Sequence, residues 1–316
     1  KNLAARQRQC MKFHIFLSAL LTWATLSLEA KPNVIVILVD DMGYSDAGAF
    51  GGEVRTPNVD RLAKGGLRFT QNYNSARCCP SRASLLTGLY SHQAGIANFT
   101  GGDRSAKKGP AYRGRLSKQC VTLAEALKAD GYNTYGVGKW HVGHQESPET
   151  RGFDEYYGYT RGYSANQWDL NSYRRLPADR KPEIEYKPEN FYATDAFSDY
   201  AVEFVKQAQG KKEPFFLYLA HSSPHFPLQA PAKTRDTYLE IYRRGWDVLR
   251  KERYERQKKS GLVTKSWQFT ELSDVPTDRE DIANGFPGKQ NPAWKEVAAD
   301  RREDLVYRMA TFAAMV

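Results

Sequence analysis

The segment "NVIVILVDD" (33–41) is an unbroken aliphatic, largely β-branched run that ends in two carboxylates. A run of this kind predicts a strand buried on both faces, as in a parallel sheet. Two more strands are predicted by "NTYGVGKWH" (133–141), which ends at Lys139 and His141, and by "FFLYLAHSSPH" (215–225), which ends at His221 with His225 just beyond. Between them lie segments of helical period. "TPNVDRLAKGG" (56–66) opens with Thr56 as N-cap and Pro57 at the first helical position, and stops at a glycine pair. "TLAEALKADGY" (122–132) carries a capping box, Thr122 with Glu125, and ends at Gly131. "TDAFSDYAVEFVKQAQG" (194–210) predicts a third helix, and Pro80 sits well in the first turn of another that continues over 81–90. A long helix is predicted over 235–259, with Leu239, Tyr242, Trp246 and Leu249 on one face and "RKERYERQKK" on its solvated side. A polar surface loop follows over 266–292, then an apolar helix over 303–316 that has neither cap nor terminator.

Alternating helices and strands imply an α/β fold, with a large, mostly parallel central sheet flanked by helices; the unterminated last helix predicts a fold incomplete at the C-terminus. In such sheets ligands bind beyond the carboxyl ends of the strands. Three predicted strands end in Asp40-Asp41, in Lys139 and His141, and in His221 and His225, so polar chemistry collects along one edge.

Composition narrows the picture further. With 41% hydrophobic and 13% aromatic residues in 316, the chain can bury a sizeable core. The net charge of +10 suits an acidic substrate. No basic stripe interleaved with aromatics stands out, so nucleic acid is not the expected partner. The apolar run "FHIFLSALLTWATLSLEA" (13–30) after Lys12 has the make-up of a signal peptide starting at Met11, with residues 1–10 an upstream extension or expression remnant. That run is shorter than the ~20 residues a membrane-spanning helix needs, so export to the periplasm or the exterior is expected, without a stable membrane anchor. Of the four cysteines, Cys10 would leave with the signal. Cys78, Cys79 and Cys120 remain, an odd count for an oxidising compartment.

The most unusual stretch is "ARCCPSRASLLTGLY" (76–90). A helix start offers free N–H groups and a positive dipole end, which attract anions and activate a cysteine held there. Arg82 in that first turn opposes the dipole but suits a gripped oxyanion. A disulfide between adjacent residues is badly strained, and a zinc site needs further Cys or His at suitable spacing, of which none is near in sequence. Asp40-Asp41 reads either as a polar strand end or, at the end of a buried strand, as oxygen ligands for a hard divalent cation.

Cys78-Cys79-Pro80-Ser81-Arg82 with Leu86-Thr87-Gly88 resembles the C-x-P-S-R-x-x-x-L-T-G signature of the type I, formylglycine-dependent sulfatases of the alkaline phosphatase superfamily, in particular the bacterial arylsulfatases. "GVGKWHVG" (136–143) resembles the family's G-K-W-H-x-G motif, "HSSPHFP" (221–227) its P-H-x-P segment, and "RGFDEYYG" (151–158) its G-F-D segment. The resemblance implies that residues 31–316 are a partial N-terminal catalytic domain. It implies that Cys78 is converted to Cα-formylglycine by a maturation enzyme, while Cys79 fills a variable position. One hydroxyl of the aldehyde hydrate then attacks the sulfur of an aryl or carbohydrate sulfate, and the other later expels sulfate. A calcium ion would be held by Asp40, Asp41 and the modified Cys78. Lys139 would bind a sulfate oxygen, Arg82 an oxyanion, and His141 would orient or deprotonate a formylglycine hydroxyl. His225 would serve the leaving oxygen, and Ser164 is a candidate sulfate contact. His221 is expected to line the pocket, His92 to pack near the site, and Asp46 to be structural. The family's remaining Asp-Asn metal pair and a further lysine find no match in 1–316. The alternatives are a phosphodiester or phosphonate ester hydrolase using the same site, and an inactive remnant.

Overall fold

The computed structural model describes residues 30–100, 109–143, 145–162, 166–272 and 291–316. Almost all of the expected signal segment, Cys10, Ser164 and most of the expected 266–292 loop lie outside the described residues.

Five strands form one sheet. β1 (Val34–Asp40), β2 (Asn133–Lys139), β3 (Glu155–Tyr159), β4 (Arg174–Leu176) and β5 (Phe215–Pro224) lie in the order β1-β5-β2-β3-β4. All neighbours are parallel except β3 and β4, in line with the expected α/β class. The short β3 and β4 carry no β-branched run, which is why hydrophobic pattern does not announce them.

The period-2 pleat of β5 divides the core. Phe216, Tyr218 and Ala220 face one side, where α2 (Cys78–Thr87) and α3 (Leu123–Ala129) cover them through Cys79, Ala83, Leu86 and Ala124. Phe215, Leu217 and Leu219 face the other side, under α4 (Ala193–Gln209) with Phe197, Tyr200 and Phe204. The Tyr157 and Tyr200 rings stack there at 3.7 Å.

Several expectations need correction. β1 is not buried on both faces: Val34, Val36 and Leu38 pack into the first core, but Ile35 and Ile37 are 50% and 57% exposed. β1 stands at the sheet edge, and α4 covers β5, β2 and β3 instead. Thr56 precedes α1 (Pro57–Gly65) but does not cap it; its hydroxyl donates to Asp60 and accepts from the Gly48 amide. The expected long helix is three pieces, α5 (Ala232–Asp236), α6 (Leu239–Arg243) and α7 (Trp246–Lys259). Gly245 breaks it at φ 83°, with the Trp294 ring 2.2 Å from where a Cβ would stand. Tyr242 and Leu249 still reach a common core with α8 (Ala299–Met315). The capping box of α3 is present as expected: the Thr122 side chain accepts from the Glu125 amide at 3.1 Å, and the Glu125 carboxylate accepts from the Thr122 amide at 2.7 Å.

Candidate active site

The carboxyl ends of β1, β2 and β5 converge with the start of α2. Along β1 and β5 the register slips: Leu38 pairs with Ala220, but Asp40 with Pro224. This bulge carries His225 to Asp41, with Nε2 3.6 Å from Oδ2. On β2, Gly138 has φ 98°, and a Cβ there would lie 2.0 Å from the Ala220 carbonyl oxygen. Only glycine permits that approach, which sets Lys139 and His141 beyond the strand end. Ala76 at φ 56° and an extended Arg77 turn the chain into α2, so that Cys78 is its first residue.

Two cations close on one carboxylate. Lys139, fully buried, forms an ion pair with Asp40, and Arg82 Nη2 lies 3.3 Å from Asp40 Oδ1. Arg82 Nη1 donates to the Lys139 carbonyl at 2.8 Å and to the Tyr218 hydroxyl oxygen at 3.3 Å. Burial alone would raise the Asp40 pKa, but Arg82 and Lys139 outweigh it and hold the carboxyl below its ordinary value. Asp41 moves the other way: burial and the neighbouring Asp40 and Cys78 charges raise it, against the lowering effect of His225. The Cys78 thiol is pulled well down, first by a hydrogen bond from Cys79 and then by His141 and Lys139, against burial. The Cys79 thiol is pushed up by that same bond and by burial. His141, with φ 52°, is buried and its pKa is lowered by desolvation. Its Nδ1 has no hydrogen-bond partner, and its Nε2 lies 2.7 Å from where a Cβ on residue 162 would stand.

The structure thus gathers Asp40, Asp41, Cys78, Arg82, Lys139, His141 and His225, from three strand ends and one helix start. Asp46 is structural as expected, accepting from the Gly43 amide at 2.6 Å and pairing with Arg253 at 3.3 Å. His221 lies by the Phe197 ring with its Nδ1 buried and unpartnered. His92 is not packed inside: it is exposed, with only a ring edge toward Tyr112. Cys79 and Cys120 are both free; Cys79 reaches the Asn98 carbonyl and Cys120 that of Ser117. Sequence reasoning missed Tyr218, which accepts from Arg82; its place two residues after Phe216 on the α2 side of β5 was the available signal. It also missed that a histidine stands beside the vicinal cysteines. The ligand atoms of Cys78, Cys79 and His141 lie within 4.8 Å of one another, so the expectation that no further ligand is near fails in three dimensions.

Asp40 and Asp41 fit a hard cation in donor type. They supply carboxylate oxygens on consecutive residues at a strand end. Two carboxylates are a partial set for calcium, which takes 6–8 oxygen ligands.

In this α/β protein a buried carboxylate gripped by Lys and Arg lies at the carboxyl edge of the sheet, near an acidified thiol at a helix start. The sulfatase family model matches residues 32–284. An uncharacterized sulfatase of Schizosaccharomyces pombe is 33% identical over 307 residues, covering 90% of this chain and 52% of that protein. An arylsulfatase of Klebsiella aerogenes is 32% identical over 295 residues, covering 91% and 60%. Among solved structures, Ps i-CgsB in complex with k-i-k-neocarrahexaose superposes with a TM-score of 0.56 at 32% identity, over 73% of this chain and 56% of that one. The chain belongs to the sulfatase family, and spans 52% and 60% of the length of the two curated relatives named. Among the described residues no helix is long and apolar enough to cross a membrane.

Proposed function

We propose that the protein hydrolyses sulfate esters at the site built by Cys78, Arg82, Lys139, His141 and His225. The observation that carries this reading is the Lys139–Asp40–Arg82 cluster next to Cys78, in a chain of the sulfatase family. Converted to Cα-formylglycine, position 78 would supply a geminal diol as nucleophile, and a calcium ion on Asp40 and Asp41 would supply positive charge to the ester oxygens. The chain's own residues do the rest. Lys139 and Arg82, fixed by burial and by bonds to Asp40 and the Lys139 carbonyl, present positive charge with little reorganisation. His141, kept neutral by burial, accepts a proton from a hydroxyl at position 78. His225, beside Asp41, would give a proton to the leaving oxygen. Sulfated aryl compounds or glycans are the substrates of this reading, and export follows from the signal-like residues 11–30.

The test is the mass of the peptide carrying Cys78 after co-expression with a formylglycine-generating enzyme, alongside release of phenol from an aryl sulfate and an aryl phosphodiester. The mass shift of aldehyde formation with preference for the sulfate is expected. Cys78→Ala abolishes turnover while Cys79→Ala leaves most of it. Preference for the phosphodiester, or an active Cys78→Ala, would overturn the reading.

A further inference from the structure

The vicinal thiols take part in none of the chemistry above until Cys78 is converted, and in that unconverted state they form a different site. We propose that Cys78, Cys79 and His141 together bind one thiophilic divalent cation of the zinc group in the unconverted chain. The three ligand atoms already lie within 4.8 Å of one another. A tetrahedral site with Zn–S of about 2.3 Å and Zn–N of about 2.0 Å needs donor spacings of about 3.5–3.7 Å, so rotamer adjustments of the two cysteines close the gap. The donors are soft, two sulfurs and an imidazole, unlike the carboxylates of Asp40 and Asp41.

The frame holds the donors in place. Cys79 is fully buried on the first core of the sheet, and neighbouring Cys78 opens to solvent, which leaves an entry path and a fourth position for water. His141 is 5% exposed, and its Nδ1 lacks a hydrogen-bond partner. A buried imidazole with an unsatisfied nitrogen beside two sulfurs is what a cation would satisfy. Lys139, whose charge reaches Cys78, is itself paired with Asp40. Binding forms two metal–thiolate bonds and one metal–imidazole bond. Both sulfurs bind as thiolates, the proton displaced from Cys79 goes to solvent, no redox change occurs, and the cation with its two thiolates carries no net charge. Oxidising Cys78 to an aldehyde removes one sulfur and with it the site. A chain holding the ion is therefore withheld from conversion; this consequence rests on the formylglycine reading, whereas the binding itself does not.

The experiment is titration of the reduced, unconverted 316-residue chain with Cd²⁺, read by the ultraviolet thiolate-to-cadmium band. One equivalent is expected to saturate the band. Cys79→Ser and His141→Ala each weaken binding by about tenfold or more, while Cys120→Ser leaves it unchanged. As a check that needs no variant, Cd²⁺ slows alkylation of Cys78 by iodoacetamide by about tenfold, read by peptide mass. Absence of the band at stoichiometric Cd²⁺, equal loss on Cys120→Ser, or unprotected Cys78 would each overturn the site. Cadmium binding by a chain whose Cys78 is never converted would sustain this site while failing the formylglycine reading.

Discussion

At His221 burial and titration oppose each other. Its Nδ1 is enclosed without a partner, and burial lowers its pKa to about 4 from the ordinary 6.5. Between those two values the unfolded chain takes up a proton that the folded chain refuses, so stability is full above pH 6.5 and falls as the pH drops towards 4. The loss is about 3 kcal/mol across that window. His221→Phe, which keeps a ring beside Phe197, should remove most of this acid slope. Urea midpoints at about pH 7 and about pH 4.5 for both proteins check it; parallel slopes would place the titration elsewhere. The legibility of the site varies at this same scale. Cys78, Arg82, Lys139, His141 and His225 were legible because each sits in a short motif at a strand end or a helix start. The Tyr218 hydroxyl and the approach of His141 to Cys79 were not, since both depend on α2 lying across β5 and β2, a contact between segments far apart in sequence.

At the scale of elements, the site depends on how closely β2 and β5 run. Gly138 and Ala220 are register partners, and the 2.0 Å that a Cβ at 138 would leave to the Ala220 carbonyl cannot be relieved by a side-chain rotation. Gly138→Ala therefore forces the strands apart or twists Lys139 away from Asp40. It should destabilise the protein by about 3 kcal/mol or more, from the positive φ and the backbone clash together. Denaturant unfolding measures this, and a change below about 1 kcal/mol would show that β2 can shift without cost. Hydrophobic pattern located β1, β2 and β5 and the helices because each buries an apolar stripe. It overstated the burial of β1 because a continuous apolar run reads the same at a sheet edge as at its centre. It also read 235–259 as one helix. Gly245 was visible in the sequence, but the Trp294 ring that makes its turn obligatory comes from a distant segment.

For the molecule as a whole, the fold joins one carboxylate pair to two competing sets of partners. Asp40 is taken up by Lys139 and Arg82, whereas Asp41, with its side chain 60% exposed, stands beside His225. A cation bound here meets these ligands in one place only when β1, α2 and β5 are assembled, so binding is coupled to global stability. Calcium at about a hundred times its Kd should stabilise the chain by about 2.7 kcal/mol, seen as a rise in Tm that excess chelator reverses. Asp41→Asn separates the two roles of the doublet. It leaves the buried Lys139–Asp40–Arg82 cluster intact, so the Tm in chelator should stay close to that of the unaltered chain. The calcium-dependent rise should shrink, because one of two carboxylate ligands has lost its charge. If calcium raises the Tm of Asp41→Asn as much as that of the parent, the ion is not held at this doublet. If calcium moves neither protein, the ion pairs of Asp40 to Lys139 and Arg82 outcompete it, and the positive charge offered to an anionic substrate comes from those two side chains alone.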